Sequence, residues 1–559
     1  MRLKIFPGMI LVVLSMWPGF SMAQVIPAGV DVGAQGQRFQ ADSKRQRKAY
    51  EGQNKKTSAG ETGGEKRQAL PTSLKFTLTS VNITGVTLLK PQQFTPLYQS
   101  LIGKEISLAD IQTVADAIRS QYKARQYLTT TVVVPEQEIK NGVVEILVIE
   151  GRMGKLKVEG NKHFPLQSVV NAFHIKEGDL LNFRQMLTDI LRLNQSSDLQ
   201  GRTVISAGEK LGTSDITLKV HDRSPWHVGM SEDNAGTRLT GKYRTGFTVR
   251  STNATGQLDT LFLSTSLSRY SFGQSASYRI PVGNGSTKLG FDATYFRMRI
   301  GREYYPQGIK GTSQIYTPQV IQELWFDDRS QGSAILGMDV KSIYKTALNV
   351  KTADDQLRIP FLALDISEED AYGQMIFNPR VNVSTEDFLG ASERGHLSAS
   401  RPGTDGKFVK YEQGFSRIQR MPLDTYATLR IDVQVASRTL PSSDQIQLGG
   451  MNSVRGYPEG DFMADSGGFV NVDWFVPVLP QPWHNQIIPV VFMDYGTGHV
   501  KTVNPGESYR KDLLGVGGGL RLRLNQSAMI RLEWAKDMKD EPVSGSGPSV
   551  FYVQCQAEF

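Results

Sequence analysis

At 559 residues the chain exceeds what one ordinary core accommodates, so two to four domains are expected. It is 39% hydrophobic with a mean hydropathy of -0.30, which excludes a bundle of apolar membrane helices, and its one cysteine, Cys555, excludes a disulfide-stapled domain. The net charge of +8 does not mark a nucleic-acid face: residues 38–67 hold nine Lys/Arg against four Asp/Glu, Arg2 and Lys4 add two more, and residues 68–559 carry only +2.

The apolar run Ile5 to Trp17 follows Arg2 and Lys4 and precedes Ser21-Met22-Ala23. It is short and interrupted by Pro7 and Gly8, so the stretch 1–23 reads as a secretory signal cleaved after Ala23. Residues 24–70 lack a sustained apolar period and are rich in Gly, Gln, Lys, Ser and Ala, which predicts mostly linker. Within them, Gly36 to Tyr50 has helix formers, no proline, and Lys44, Arg45, Arg47 and Lys48 clustered. A short basic helix and a solvated charge run both fit this stretch. Such a helix would have no apolar stripe to bury.

Residues 71–151 change character. Lys75 to Leu89 alternates as a strand, and Pro91 to Leu101 leaves room for a helix. Ser107 with Asp110 forms a capping-box-like start, after which Ile111, Val114, Ala115, Ile118 and Tyr122 fall on one helical face. Strands follow at Thr129–Val134 and Val143–Ile149, around a turn region at Pro135-Glu136-Gln137. Residues 152–224 repeat the order. Gly154–Gly160 is a strand; Asn182 caps a helix whose face is Phe183, Met186, Leu187, Ile190 and Leu191; Arg202–Ala207 and Asp215–Val220 are strands. A spacing of roughly 75 residues marks an internal repeat of a small α/β module.

From Ser224 onward helical periodicity gives way to alternation. Ala427, Leu429, Ile431, Val433 and Val435 alternate with Thr428, Arg430, Asp432 and Gln434. Leu520, Leu522 and Leu524 alternate with Arg521, Arg523 and Asn525; Ile530, Leu532 and Trp534 alternate with Arg531 and Glu533. One apolar and one charged face, without covering helices, is the pattern of a barrel with lipid outside and water inside, though a soluble sandwich alternates similarly. The last strand puts Phe551, Val553, Cys555, Ala557 and terminal Phe559 on one face. Between strands lies the glycine-hinged loop Gln447-Leu448-Gly449-Gly450-Met451-Asn452-Ser453-Val454-Arg455-Gly456-Tyr457, followed by Pro458-Glu459-Gly460.

Val454-Arg455-Gly456-Tyr457 resembles the signature loop of the outer-membrane superfamily that includes the Bam-type insertases. The fuller string resembles that of the two-partner-secretion transporters, TpsB, which export haemolysins and filamentous haemagglutinins. Agreement extends over most of the chain. Phe492-Met493-Asp494-Tyr495-Gly496 matches the F-x-D-x-G barrel motif. Asp233-Asn234-Ala235-Gly236, Thr240-Gly241 and Asn253 to Leu261 resemble the first barrel hairpin, and Leu514-Gly515-Val516-Gly517 the approach to the penultimate strand. The tandem modules resemble POTRA domains, with Pro135-Glu136-Gln137 and Val148-Ile149-Glu150-Gly151 as in the TpsB-type first module. One departure is Gln126, where family members often have glycine.

The resemblance implies a mainly β fold: a sixteen-strand transmembrane antiparallel barrel at 225–559 behind two POTRA domains at 71–151 and 152–224. It implies that Asp494 partners Arg455, that Phe559 closes an assembly signal read by the barrel-assembly machinery, and that the stretch with Lys44, Arg45, Arg47 and Lys48 plugs the lumen. The implied partners are outer-membrane lipid and a secreted TpsA-type exoprotein, captured unfolded in the periplasm. An assembly insertase is the alternative, favoured less because there are two modules, not a longer array; a passive solute porin would not need the modules. No G-x-S-x-G, H-E-x-x-H or nucleotide-binding G-x-x-x-x-G-K-[ST] occurs, and the seven histidines are scattered, so no catalytic residue, metal site or cofactor is expected.

Overall fold

The computed structural model describes residues 28–51, 75–283, 285–386, 388–392, 399–404, 406–477, 479–480, 483–503, 507–524, 527–542 and 549–559. The predicted signal at 1–23, residues 24–27 and 52–70 of the predicted linker, and residues 71–74 lie outside them. The first element is α1 (Val32–Glu51), longer at its start than the predicted Gly36 to Tyr50. The reason is a cap: Asp31 Oδ1 accepts from the N–H of Gly33 at 2.8 Å and of Ala34 at 3.4 Å.

The first α/β unit has two ladders. β1 (Lys75–Thr77) pairs with β3 (Glu105–Ser107), and β2 (Ser80–Thr84) runs parallel to β5 (Val143–Ile149), which pairs with β4 (Thr131–Val133). The continuous strand expected over Lys75 to Leu89 is therefore broken. At the break the N–H groups of Leu78 and Thr79 bond Lys104 O and Gly142 O instead. α2 (Thr95–Tyr98) sits between 3-10 turns at Pro91–Phe94 and Gln99–Leu101. α3 (Leu108–Ala124) starts on a complete Ser107–Asp110 capping box and buries Ile111, Val114, Ala115, Ile118 and Tyr122, the predicted face.

The second unit repeats the plan. β6 (Arg152–Glu159) is parallel to β8 (Thr213–Asp222), which pairs with β7 (Leu199–Ala207). α4 (Leu166–Asn171) and α5 (Phe183–Leu193) cover the sheet, the latter capped by Asn182 as expected. The repeat reaches single atoms. After its first long strand each unit turns on a left-handed glycine, Gly85 or Gly160. The following N–H groups then meet a carboxylate at the end of the last strand. Glu150 accepts from Thr87 and Leu88 at 2.9 and 2.8 Å; Asp222 accepts from Lys162, His163 and Phe164 at 2.8, 2.7 and 2.9 Å. Burial alone would raise both acids, but these donors outweigh it and hold both below the ordinary carboxylate range.

Gln126 adopts φ +68°, a conformation that favours glycine, the residue the resemblance implies there. Its carbonyl accepts the first N–H of α5, from Phe183 at 2.9 Å, so the turn of one unit completes a helix end of the next.

Sixteen antiparallel strands then close a barrel. They begin with β9 (Trp226–Asp233), β10 (Arg244–Ser251), β11 (Thr260–Leu267) and β12 (Ser271–Val282). Next are β13 (Thr287–Arg299), β14 (Lys310–Phe326), β15 (Ser330–Ala347), β16 (Val350–Asp370) and β17 (Gly373–Ser384). β18 (Phe408–Arg420) and β19 (Tyr426–Ala436) lead to a small hairpin, β20 (Ile446–Leu448) with β21 (Phe462–Ala464), that stands apart from the wall. The wall resumes with β22 (Ser466–Phe475), β23 (Ile487–His499), β24 (Arg510–Arg523), β25 (Ala528–Asp537) and β26 (Ser549–Glu558), and β26 pairs with β9. Since β9 follows directly on β8, its start defines the proximal end of the barrel, beside the α/β units; the opposite end is distal.

The alternation read from the sequence holds in β19 and β25, where Gln434 and Glu533 are buried inside while Val433, Val435 and Trp534 face outward. It fails in β23. There Val490, Phe492 and Asp494 share the buried inner face and Val491, Met493 and Tyr495 the exposed outer one. Both faces of β23 carry apolar residues, because something packs against its inside.

Candidate functional site

What packs there is the loop between β20 and β21. Val454 and Tyr457 are fully buried in a cluster with Leu448, Phe462, Phe469 and Leu513. Glycines in the wall make room: a Cβ on Gly515 would overlap the carbonyl oxygen of Arg455. Gly456, at φ +97°, turns the loop back immediately after the arginine.

Arg455 is 3% exposed. Its Nε and Nη2 each donate to one oxygen of Asp494 at 2.7 Å, and its backbone N–H adds a third bond to the same carboxylate at 2.9 Å. Nη1 donates to Glu533 at 3.2 Å, and Nη2 also lies 2.7 Å from Asp473. The guanidinium stacks 3.5 Å from the Phe492 ring centroid. The acids are shared: Asn471 donates to Asp494 at 2.8 Å, and Arg521 and Arg531 both pair with Glu533. Charges removed from water are thus matched with opposite charges, as burial requires. Tyr457 places its hydroxyl against Leu514 and Lys539 backbone groups, and Tyr552 of β26 donates to Tyr457 O at 3.2 Å.

The lumen also contains α1. Its start is at the distal end, where Val30 and Val32 pack with Leu239, Ile300, Tyr304, Ile309 and Ile343, and Asp31 pairs with Lys345 at 3.3 Å. Its finish is proximal, where Lys48 meets Asp365 at 3.1 Å. The apolar first turn precedes the predicted Gly36 start, and within the predicted stretch Phe39 lies tilted at 6.1 Å from Phe296, with no apolar stripe along the helix. The remainder is polar. Arg45 pairs with Asp42 at 2.5 Å; Lys44 and Arg47 lie in the field of wall residue Asp292, and Lys44 also of Asp339. α1 touches the arginine loop directly, through Arg38 with Glu459, Asn452 Nδ2 with Asp42 at 3.1 Å, and Gln447 Nε2 with Ala34 O at 2.6 Å.

Thus Val454, Arg455, Gly456, Tyr457, Phe492, Asp494 and Gly496 come together, with Gly496 lying under Val454. Lys44, Arg45, Arg47 and Lys48 lie elsewhere in the same lumen, and Phe559 lies on the wall, where it exchanges backbone bonds with Val228 at 2.8 and 3.0 Å. Sequence reasoning missed Asn471, Asp473, Glu533 and Tyr552 as partners of the loop. Glu533 and Tyr552 were legible as members of the inward face of their strands; nothing local marked Asn471 or Asp473. Among the described residues no group of three His, Cys, Asp or Glu side chains is placed to hold a metal.

The family model "Haemolysin secretion/activation protein ShlB/FhaC/HecB" matches residues 212–522, and the ShlB-type POTRA model matches residues 76–151. The chain is 24% identical over 510 residues to the heme/hemopexin transporter protein HuxB of Haemophilus influenzae, covering 86% of each. It is 24% identical over 420 residues to the outer membrane transporter CdiB of Dickeya dadantii (strain 3937), covering 72% of this chain and 74% of that one. In fold it is similar to CdiB from Escherichia coli, with a TM-score of 0.73 and 21% identity over 96% of this chain and 100% of the other. With more than half its length matched, the chain belongs to the ShlB/FhaC/HecB family of haemolysin secretion/activation proteins, the two-partner-secretion transporters that carry exoproteins across the outer membrane.

Proposed function

We propose that α1 closes the lumen at rest, that the two POTRA units take up the unfolded N-terminal region of the exoprotein, and that the chain passes through the barrel after α1 has left. The observation that carries this reading is the contrast between the two occupants of the lumen. The arginine loop is held by an apolar cluster and a bidentate ion pair. From Ala41 onward α1 is held by single polar contacts, such as Ser43 with Ser264 at 2.9 Å and the part-exposed ion pair Lys48–Asp365. Exposed pairs contribute about 0–1 kcal/mol each, so water replaces them at small cost. The loop is the fixed lining and the helix the removable part.

Capture uses backbone chemistry. β2 and β4, and β6 and β7, are the outer strands of the two POTRA sheets, and an extended segment added to such an edge satisfies its free N–H and C=O groups. Lipid covers the outward apolar faces of the wall, and the barrel-assembly machinery reads β26 with its terminal Phe559. Folding of the exoprotein outside supplies the drive.

Deleting residues 36–50 tests the helix. Single-channel conductance in planar bilayers rises and secretion stays largely intact; conductance equal to that of the full chain would overturn the plug role.

A further inference from the structure

The joint that closes the barrel is short. β26 pairs with β9 over Gln554–Glu558 against Gly229–Asp233, extended by backbone bonds of Phe559 with Val228 and of Asn234 with Val553, whereas β10 meets β9 over the whole of Arg244–Ser251. At the proximal end of this seam an arginine reaches across. Arg250 belongs to β10 and is the Cα partner of His227, yet its Nε donates to Glu558 on β26, two strands away. Glu558 is the Cα partner of Gly229, which puts no side chain in the path.

The same guanidinium is held from below by the second POTRA unit. Nη1 donates to Ser197 Oγ at 3.2 Å and lies 3.7 Å from Asp198 Oδ2. Asp198 sits between α5 and β7, and its buried carboxylate gathers much of the junction. It accepts from Arg223 Nε at 2.8 Å and Thr252 Oγ1 at 2.7 Å, and meets His227 Nε2 at 2.9 Å. The unit also touches the rim away from the seam, through Arg192 with Glu323 and Gln195 with Gln331.

We infer that Arg250 is a positioning residue that couples the seating of the second POTRA unit to closure of the β9–β26 seam. While the unit is seated, Ser197 and Asp198 orient the guanidinium toward Glu558. When the unit shifts, the guanidinium loses that orientation, and the short seam frays from its proximal end. Arginine suits the task because its planar fork serves two acceptors at once. The coupling rests on the reading that a captured chain moves the POTRA units, but its test needs no exoprotein, so the two stand or fall separately.

The test is hydrogen exchange of the C-terminal peptide in the intact protein in detergent micelles, with heat-modifiable migration as the check of folding. Arg250→Gln and Asp198→Asn each speed exchange of the Gln556–Phe559 amides about tenfold, the factor expected for loss of one charge-assisted hydrogen bond. Ser197→Ala, which removes one hydroxyl from POTRA2, accelerates it less, and gives the decisive reading where Asp198→Asn fails to fold. Arg250→Lys, which keeps the charge and loses only the fork, speeds exchange less than Arg250→Gln. Arg192→Gln removes a rim contact away from the seam while Ser197 and Asp198 keep their hold on Arg250, and leaves the peptide slow. Unchanged exchange in both POTRA2 variants would overturn the coupling, as would equal acceleration by Arg192→Gln.

Discussion

The POTRA units and the barrel lumen fill their interiors by opposite means. Each POTRA unit has one apolar core, such as Ile111, Ile118, Tyr122, Val144 and Ile146 in the first, with a few buried carboxylates, such as Glu150, beside it. The lumen is filled by a loop and a helix, joined to the wall largely through ions. Apolar burial is non-directional and tolerates repacking. Ion pairs depend on both partners, and removing one leaves a charge out of water. A mutation should therefore act locally in POTRA and at a distance in the lumen.

Arg455→Ala breaks the comparison hardest. It leaves Asp494 and Asp473 facing each other without their shared cation, and removing one partner of a buried pair costs about 3–5 kcal/mol. Secretion into the medium falls to background, while the barrel still reaches the membrane but loses heat resistance on gels. Normal export by this variant would take the loop out of the mechanism.

Ile146→Ala probes the apolar side. A cavity at a fully buried Ile lowers stability of the first POTRA unit by about 2–5 kcal/mol. Hydrogen exchange of residues 75–150 rises sharply, and the heat-modifiability of the barrel stays unchanged. A parallel loss in the barrel would show that the two regions do not act separately.

The shared carboxylates sharpen the contrast through pH. Glu150 and Asp222 sit below their ordinary values in the fold, so the unfolded chain takes up protons first as pH falls. Their contribution is whole above about pH 5 and is lost as pH drops through about 4 and below. Protection factors in both POTRA units, taken relative to the unstructured-chain rate at each pH, fall between pH 5 and pH 3; Glu150→Gln removes part of that dependence in the first unit only.

Ser107→Ala is the smallest change. It removes an exposed cap from α3 and costs about 1 kcal/mol, read as a modest shift in exchange confined to that helix. An effect on secretion would mean that the start of α3 contacts the exoprotein.

The sequence by itself determined whatever repeats at short range. The face of α3, the caps Ser107 and Asn182, the two-unit repeat and the outward residues of β19, β25 and β26 follow from periods of 3.6 and 2 and from local hydrogen bonds. The resemblance carried by Arg455, Gly456, Phe492 and Asp494 supplied the family. Tertiary structure alone decided where α1 lies, since a polar helix and a solvated charge run have the same composition. It alone decided that Phe492 and Val490 point inward, because parity along a strand states which residues share a face but not which face meets the loop. And it alone brought Arg455 to Glu533, Arg38 to Glu459, and Arg250 to both Ser197 and Glu558. These pairs lie far apart along the chain, and a charge carries no local mark of the partner that closing the barrel will bring to it.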